Sequence, residues 1–191
     1  MVSKAADART RLQDAALSLF REQGYDSTTA AQIADRAGVT ERTFFRHFSD
    51  KREALFDGAK VLEAALRAGI SAAPRDFGAL DTLLWSFRSV VPLLEANRPF
   101  AKPRHEIIRR TPALAERELT KTAALADALA EGLTDRGIPA SDAALAAKVG
   151  MVVLVEATVS WLEDEGEGLA HQFDRMTGEL RTLCDGFTGG S

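Results

Sequence analysis

Two arginines four residues apart, Arg42 and Arg46, have the chemistry and the spacing to read DNA bases. On a helix that turns by about 100° per residue they point the same way, while Phe44 and Phe48 point to the opposite side. An arginine can bond the O6 and N7 atoms of guanine together, and the phenyl group of Phe45 can touch a thymine methyl. Such an outward face is typical of a helix that enters the major groove. The alternative is an arginine pair that only solvates an exposed face.

The residues before this helix predict the elements that position it. An apolar stripe over residues 12–20 predicts a first helix, which Gly24 can end in the left-handed conformation. Thr29-Ala30-Ala31-Gln32 has the spacing of a capping box and starts a second, short helix. Gly38 breaks that helix, and Thr40 can cap the third. Two short helices packed on a longer one predict a helix-turn-helix.

The charge of the chain is unevenly distributed. The 191 residues carry a net charge of −4, yet residues 1–52 hold nine Lys+Arg and seven Asp+Glu, a net charge of +2. The remaining 139 residues hold 15 and 21, which gives −6. Because a polyanion attracts positive charge, we expect only the N-terminal segment to meet nucleic acid.

The sequence lacks motifs for catalysis and metal binding. Its three histidines have no zinc-ligand spacing, and there is no His-Glu-x-x-His, phosphate-binding loop or Gly-x-Ser-x-Gly turn. The lone Cys184 is interpreted as a packed thiol, which is consistent with a reducing cytoplasm. The most apolar stretch, residues 149–155, is too short to span a bilayer. We therefore expect a cytoplasmic protein that is not an enzyme, with no catalytic residue, cofactor, metal or membrane association.

Residues 10–56 resemble the DNA-binding domain of the TetR family of bacterial repressors. The resemblance covers about a quarter of the chain and is dense and in register. It is carried by Asp14-Ala-Ala-Leu-Ser-Leu-Phe20, Gly24-Tyr25, Thr28-Thr29, Ile33-Ala34, Ala37-Gly38-Val39, Arg42-Thr43-Phe44-Phe45-Arg46-His47-Phe48 and Lys51.

The resemblance implies a role in DNA binding for nine side chains. Thr29 would give its hydroxyl and backbone N–H to a phosphate at the start of the second helix. His47 would contact a phosphate at the groove edge, or else pack against the first helix. Lys51 would hold the DNA backbone, and Arg52 would add a second phosphate contact. Bases and nearby phosphates would be contacted by Thr40, Arg42, Thr43, Phe45 and Arg46.

Position 45 departs from the pattern of the family. Many members have tyrosine there, and its hydroxyl commonly reaches a phosphate, whereas Phe45 has no hydroxyl. We therefore expect an apolar contact from Phe45, against a sugar or a thymine methyl. Arg42 stands where the family commonly has glycine, and its charged contact can compensate for the missing hydroxyl.

Beyond residue 52 the sequence predicts helices throughout. Proline and glycine residues separate helices over about residues 51–70, 77–96, 104–110, 111–136, 141–165 and 169–187. The resemblance implies an all-α chain with a three-helix helix-turn-helix DNA-binding domain in residues 1–52. Residues 53–187 would form a helical ligand-binding and dimerisation domain, and residues 188–191 a flexible tail.

The resemblance also implies a homodimer formed through the last two long helices. The penultimate helix has small and apolar residues nearly all round, from Ala143 to Trp161. This pattern suits close packing against a partner, although burial within one chain explains it almost as well.

The ligand pocket of the family lies among the middle helices of the C-terminal domain. An aromatic wall near a basic cluster would suit an apolar or amphipathic ligand with an anionic group, such as a fatty acyl thioester. The alternative is that the aromatic residues are plain core and the arginines a solvated face. The candidate lining residues are Trp85, Phe87, Arg88, Phe100, Arg104, His105, Ile108 and Arg109.

These observations predict a transcriptional repressor that binds a palindromic operator in double-stranded DNA as a homodimer. A small-molecule effector of unknown identity would release it by shifting the fourth helix, which joins the two domains, and so change the separation of the recognition helices. An activator of the same architecture is compatible with the sequence. So is a protein-interaction module whose helix-turn-helix no longer binds DNA, because the positive charge of residues 1–52 is weak.

Overall fold

Helices make up the fold of the part of the chain that this computed structural model describes, residues 4–164 and 166–188. Those residues contain no strand, and the predicted all-α class is confirmed. The predicted tail over residues 188–191 lies outside the described residues except for Thr188, which ends the last helix. In chain order the helices are α1 (Lys4–Gln23), α2 (Ala30–Arg36), α3 (Glu41–His47), α4 (Glu53–Phe56), α5 (Ala59–Ala72), α6 (Ala79–Ser89), α7 (Val91–Ala96), α8 (Arg98–Arg110), α9 (Pro112–Asp135), α10 (Ala140–Glu163) and α11 (Leu169–Thr188).

The helix-turn-helix predicted from the sequence consists of α2 and α3. Thr29 caps α2: its side chain accepts the backbone N–H of Gln32, and the Gln32 side chain accepts the N–H of Thr29, which confirms the capping box. Thr40 caps α3 by accepting the N–H of Thr43. Gly38, between the two helices, has a φ of 66°, a left-handed conformation that favours glycine.

Contacts group the described residues into two compact units. One lies within Met1–Lys60 and Pro99–Leu119, and the other within Val61–Arg98 and Thr120–Ser191. The first unit therefore holds α1 to α4 together with most of α8 and the beginning of α9. The predicted functional boundary after residue 52 stays a prediction.

The core of the first unit joins the helix-turn-helix to residues 99–119. Leu12 on α1 and Phe44 on α3 have no exposed surface, and they belong to the same buried cluster as Ile107, Ile108 and Leu114. Burying a large apolar side chain contributes about 1.5–3 kcal/mol. Because a seven-residue helix is unstable on its own in water, this packing holds α2 and α3 in place.

The second unit is built on α10, which packs against α6 and α11. Glycines allow the helices of this unit to approach closely. A Cβ added to Gly150 on α10 would come within 3.0 Å of Leu83 and 3.3 Å of Phe87, both on α6. A Cβ added to Gly69 on α5 would lie 2.9 Å from the Cα of Ser86. The close packing of α6 against α5 and α10 therefore requires residues without a side chain at positions 69 and 150.

Three predicted helix boundaries in the middle of the chain were wrong. The helix expected over residues 51–70 is divided into α4 and α5 by a turn at Asp57–Gly58, because glycine is a poor helix former. The helix expected over residues 77–96 breaks before α7, where Pro92 lies in the first turn and has no N–H to continue α6. α8 begins at Arg98 rather than near residue 104, because Pro99 fits a first turn and the helix continues through Pro103.

α10 is the one helix among the described residues that is long and apolar enough to cross a membrane by length and composition. Its buried side, which includes Ala143, Met151 and Trp161, packs inside the second unit. Core helices of globular proteins meet the same criterion, so the composition of α10 is weak evidence for a membrane span.

Candidate nucleic-acid interface

α3 presents three large side chains to solvent on one side. Arg42, Phe45 and Arg46 are exposed, and 52% of the Phe45 surface is accessible. On the opposite side Phe44 has no accessible surface, and Phe48 is buried immediately after the helix ends. The predicted rotation of this helix is therefore confirmed, since the two buried rings turn the arginines outward.

The two arginines of this face have no carboxylate partner in the part of the chain that the structure describes. Among the residues that the structure describes, neither Arg42 nor Arg46 forms an ion pair or a side-chain hydrogen bond, and both are exposed. Unpaired guanidinium groups on one surface can take phosphates or the edge of a guanine. Five other arginines of the first unit are paired, namely Arg9 with Asp57, Arg36 with Glu22, Arg52 with Asp50, Arg104 with Glu118 and Arg117 with Glu53.

The threonines that are predicted to contact DNA lie at the starts of α2 and α3. The hydroxyl oxygens of Thr40 and Thr43 are 3.0 Å apart and share a hydrogen bond. The N–H of Thr29 donates to Gln32 Oε1 at 2.8 Å. A phosphate that binds Thr29 would therefore have to displace or share the Gln32 oxygen.

Lys51 holds the turn that precedes α2. Its ammonium group donates to the carbonyls of Tyr25 at 2.7 Å and Thr28 at 2.9 Å, and it lies 4.2 Å from the centre of the Tyr25 ring. From α1, the amide of Gln23 donates to the Ser27 carbonyl and the Thr28 hydroxyl, both at 3.2 Å. Sequence reasoning missed Gln23, although its place beside Gly24, where α1 ends, is a signal for such a contact. The lysine that the resemblance assigns to the DNA backbone is thus also a clamp of this turn.

His47 lies partly buried at the end of α3. Its Nε2 atom is buried and has no hydrogen-bond partner within residues 4–164 and 166–188. Burial lowers the pKa of this imidazole, the charges of Arg46 and Arg9 lower it further, and Asp57 acts in the opposite direction. The ring is therefore neutral near pH 7 and packs beside Phe48, with the ring centres 6.3 Å apart. Its predicted contact with a phosphate stays a prediction.

Residues 99–119 hold α4 through two arginines. Arg104 donates to the Leu55 carbonyl at 2.6 Å and pairs with Glu118 at 2.6 Å. Arg117 pairs with Glu53 at 2.7 Å. Sequence reasoning chose Arg104 only as a candidate for the ligand pocket. It missed the role in holding α4, because the two groups are 49 residues apart in the chain.

Comparison with known families shows where this arrangement belongs. Residues 12–59 match the model of bacterial regulatory proteins of the tetR family. Residues 78–188, more than half of the chain, match the MftR C-terminal domain. This chain belongs to the TetR family. The relatives are named as transcriptional regulators, so the family is one of regulators rather than enzymes.

Individual relatives in the TetR family support the same assignment. The transcriptional regulator TcmR of Streptomyces glaucescens is 36% identical over 88 residues, which are 46% of this chain and 39% of TcmR. The repressor KstR2 of Rhodococcus jostii is 43% identical over 83 residues, which are 44% of this chain and 32% of KstR2. The matches therefore span less than half the length of either relative. FadR of Thermus thermophilus, solved in complex with lauroyl-CoA, is 26% identical, with a TM-score of 0.56 over 93% of this chain and 94% of FadR.

Three candidate effector residues of this TetR-family chain lie in the second unit. Phe87 is buried and stacks on Phe173 with the ring centres 6.3 Å apart. Arg88 is exposed and pairs with Asp174 at 2.6 Å. Trp85 is 45% exposed. Of these three side chains, Phe87 has the burial of a core residue, whereas Trp85 and Arg88 face solvent.

The other five candidates lie in the first unit, and one of them, Arg109, is exposed. Ile108 is buried in the core cluster, and Phe100 packs partly buried against it. Arg104 holds α4, and His105 is partly buried. The eight candidates thus belong to both units, and the predicted pocket stays a prediction.

Replacement of Lys51 by alanine tests both roles of this side chain. Loss of the bonds to the Tyr25 and Thr28 carbonyls should lower the free energy of unfolding in urea by about 1–2 kcal/mol. Loss of the charge should weaken binding to all DNA sequences alike and reduce the salt dependence of binding by about one counterion. Lys60→Ala, at an exposed lysine of the same unit, is the matched control. Unchanged stability would contradict the clamp, and an unchanged salt slope would contradict the phosphate contact.

The lowered pKa of His47 leads to a prediction about pH. A nearby phosphate would raise the pKa, so DNA binding would take up a proton. The gain in DNA affinity from protonated His47 is complete below the pKa that His47 has in the free protein. It is lost as the pH rises through the higher pKa that His47 has in the complex with DNA. Between about pH 7.5 and about pH 5.5, the wild type should gain affinity more steeply than His47→Gln, measured by fluorescence anisotropy at constant ionic strength. Parallel pH profiles would leave His47 with the packing role alone.

Proposed function

We propose that this protein is a repressor that binds an operator through α3 and is released by a small molecule. The exposed face of α3 carries the proposal, because Arg42 and Arg46 have no partner there among residues 4–164 and 166–188, and Phe45 lies beside them. In a TetR-family chain this face supports insertion into the major groove. Repression is favoured over activation because KstR2, which is 43% identical over 83 residues, is named a repressor.

The side chains around α3 divide into those that read bases and those that hold phosphates. Arg42 and Arg46 would bond guanine edges, and the hydroxyls of Thr40 and Thr43 would reach bases or neighbouring phosphates. The phosphate contacts would come from Thr29, His47 and Lys51, with Phe45 making the apolar contact.

A homodimer would present two copies of α3 to a palindromic operator. The side chains on α10 that face away from the second unit include exposed aliphatic residues, Leu145, Val152 and Val155. An apolar strip of this kind on an exposed helix face is typical of a surface that packs against a partner. We place the dimer interface on the outer faces of α10 and α11, which would bring the two α3 helices into successive major grooves of operator DNA. Such a regulator would work in the cytoplasm.

The effector is proposed to be apolar or amphipathic, with an anionic group. The support is the basic and aromatic character of the candidate residues, together with the structural similarity to FadR of Thermus thermophilus, which binds lauroyl-CoA. The residues proposed for effector binding are Trp85, Phe87, Arg88, Phe100, Arg104, His105 and Ile108.

Arg104 would connect the effector to the DNA-binding helices. In the free protein its guanidinium holds the Leu55 carbonyl of α4 and the Glu118 carboxylate. An anionic group that competes for Arg104 would loosen α4, which follows the helix-turn-helix in the chain. The separation of the two α3 helices would then change. The effector acts only to the extent that it prefers the released conformation.

Selection from a pool of random DNA duplexes tests the proposed function. The wild type should enrich an inverted repeat whose half-sites are about 10 base pairs, or a multiple of that, apart. The Arg42→Ala/Arg46→Ala double variant should enrich none, although both side chains are exposed and their loss should leave the fold intact. If the wild type enriches no sequence at low salt without effector, the repressor function is wrong and an interaction module takes its place.

Arg46→Ala should relax the preference at one base position of each half-site. We expect a loss of about 1–3 kcal/mol for the preferred base and much less for the other three bases. Binding constants for duplexes that vary at each position measure this difference. Arg110→Ala, at another exposed arginine of the first unit, is the control and should leave the preference unchanged. A uniform loss over all sequences would show that Arg46 contacts phosphate instead of a base.

Val152→Glu should convert the dimer to a monomer. Val152 is 62% exposed on the outer face of α10, and a carboxylate there would be desolvated in the interface. Light scattering coupled to gel filtration measures the mass. Val61→Glu is a matched control, because this valine is 60% exposed but lies on α5. A dimeric Val152→Glu variant, or a monomeric wild type, would contradict the proposed interface.

A further inference from the structure

We propose that Phe45 reads the C5 methyl group of a thymine and so specifies one base of each half-site. The inference rests on the proposed function, because it requires α3 to lie in the major groove. It adds a base-reading residue of a different chemistry from the arginines on the same helix.

Phe45 is exposed and yet held in place by the protein. More than half of its surface is accessible. Its ring meets the ring of Phe44 edge to face, with the centres 5.3 Å apart and the planes at 89°, a favoured aromatic geometry. Phe44 has no accessible surface, so its ring is packed on all sides by the core of the first unit. The phenyl group is therefore presented to solvent in an orientation that the core determines.

The chemistry of this side chain limits what it can recognise in DNA. A phenyl group has no hydrogen-bond donor or acceptor, so it cannot bond a phosphate oxygen or the polar edge of a base. The apolar group that unmodified DNA offers in the major groove is the thymine methyl. Phe45 precedes Arg46 and follows Arg42 by three residues, so the thymine should be close to the guanines that the arginines contact.

The contact with the methyl group differs from the contact with a deoxyribose in one measurable way. Replacement of thymine by uracil removes the methyl and leaves the base pair and the sugar unchanged. A phenyl group packed on a sugar would not distinguish the two bases. A phenyl group packed on the methyl would lose affinity when that methyl is removed, and this loss should disappear when the phenyl itself is absent.

The experiment uses the duplex of highest affinity recovered from the random pool. Each thymidine is replaced in turn by deoxyuridine, and binding is measured for the wild type and for Phe45→Ala. At one thymine of each half-site the wild type should bind the deoxyuridine duplex about fourfold more weakly, the effect of one buried methyl. Phe45→Ala should bind the two duplexes equally. Arg110→Ala, at an exposed arginine outside α3, is the control and should keep the fourfold difference.

The possible results separate this inference from the function on which it rests. If no duplex is enriched, the repressor function fails and the inference fails with it. If a duplex is enriched but no uracil weakens binding, the repressor function stands and the reading by Phe45 is wrong. The same conclusion follows if the loss caused by uracil persists in Phe45→Ala, because it would then come from the shape of the DNA. A thermal melt of Phe45→Ala that matches the wild type shows that the variant is folded.

Discussion

The packing of Phe44 and Phe48 into the core of the first unit determines what α3 presents to solvent. A helix of seven residues has little stability of its own, so its rotation is set by the side chains that it buries. Because both rings lie on one side, Arg42 and Arg46 must lie on the other. The same constraint orients Phe45, whose ring rests edge-on against Phe44. The proposed readout of DNA thus depends on the packing of two buried rings, Phe44 and Phe48, which do not themselves face the DNA.

Charged groups around this core have two distinct uses. Some connect segments of the first unit, as Arg104 and Arg117 do at α4 and Lys51 does at the turn before α2. In these places the charge is already satisfied by carbonyls or carboxylates. Arg42 and Arg46 have no such partner among the described residues, so their groups are available to a polyanion. This division explains how a chain with a net charge of −4 can still offer a positive surface to DNA.

The local features of the fold could be predicted from the sequence, and the long-range features could not. The capping box at Thr29 and the rotation of α3 depend on residues within one or two turns, so spacing alone predicts them. The clamp by Lys51 and the hold of Arg104 on α4 join segments more than 20 residues apart, for which the pattern carries no signal. The break at Asp57–Gly58 was missed because the apolar pattern continues across it.

The candidate effector residues show the same limit more sharply. Aromatic and basic residues close together in the sequence predict a single pocket, and that pocket stays a prediction, with Phe87 and Ile108 buried in the structure. Which side chains line a pocket depends on how the middle helices are arranged, and the spacing of residues does not contain that information. For α3, in contrast, the residues that face solvent and the residues that anchor it are on the same short helix.

We propose that the outward face of α3 reads base edges in the major groove. It is tested most directly by replacing single guanines of the selected operator with 7-deazaguanine, which lacks the N7 acceptor but still pairs with cytosine. The wild type should lose affinity when one guanine or more in each half-site is replaced. The Arg42→Ala/Arg46→Ala variant should bind the unmodified duplex more weakly than the wild type does, and the replacements should not weaken its binding further. Equal binding of the wild type to every substituted duplex would contradict the account, because the arginines would then not contact guanine N7.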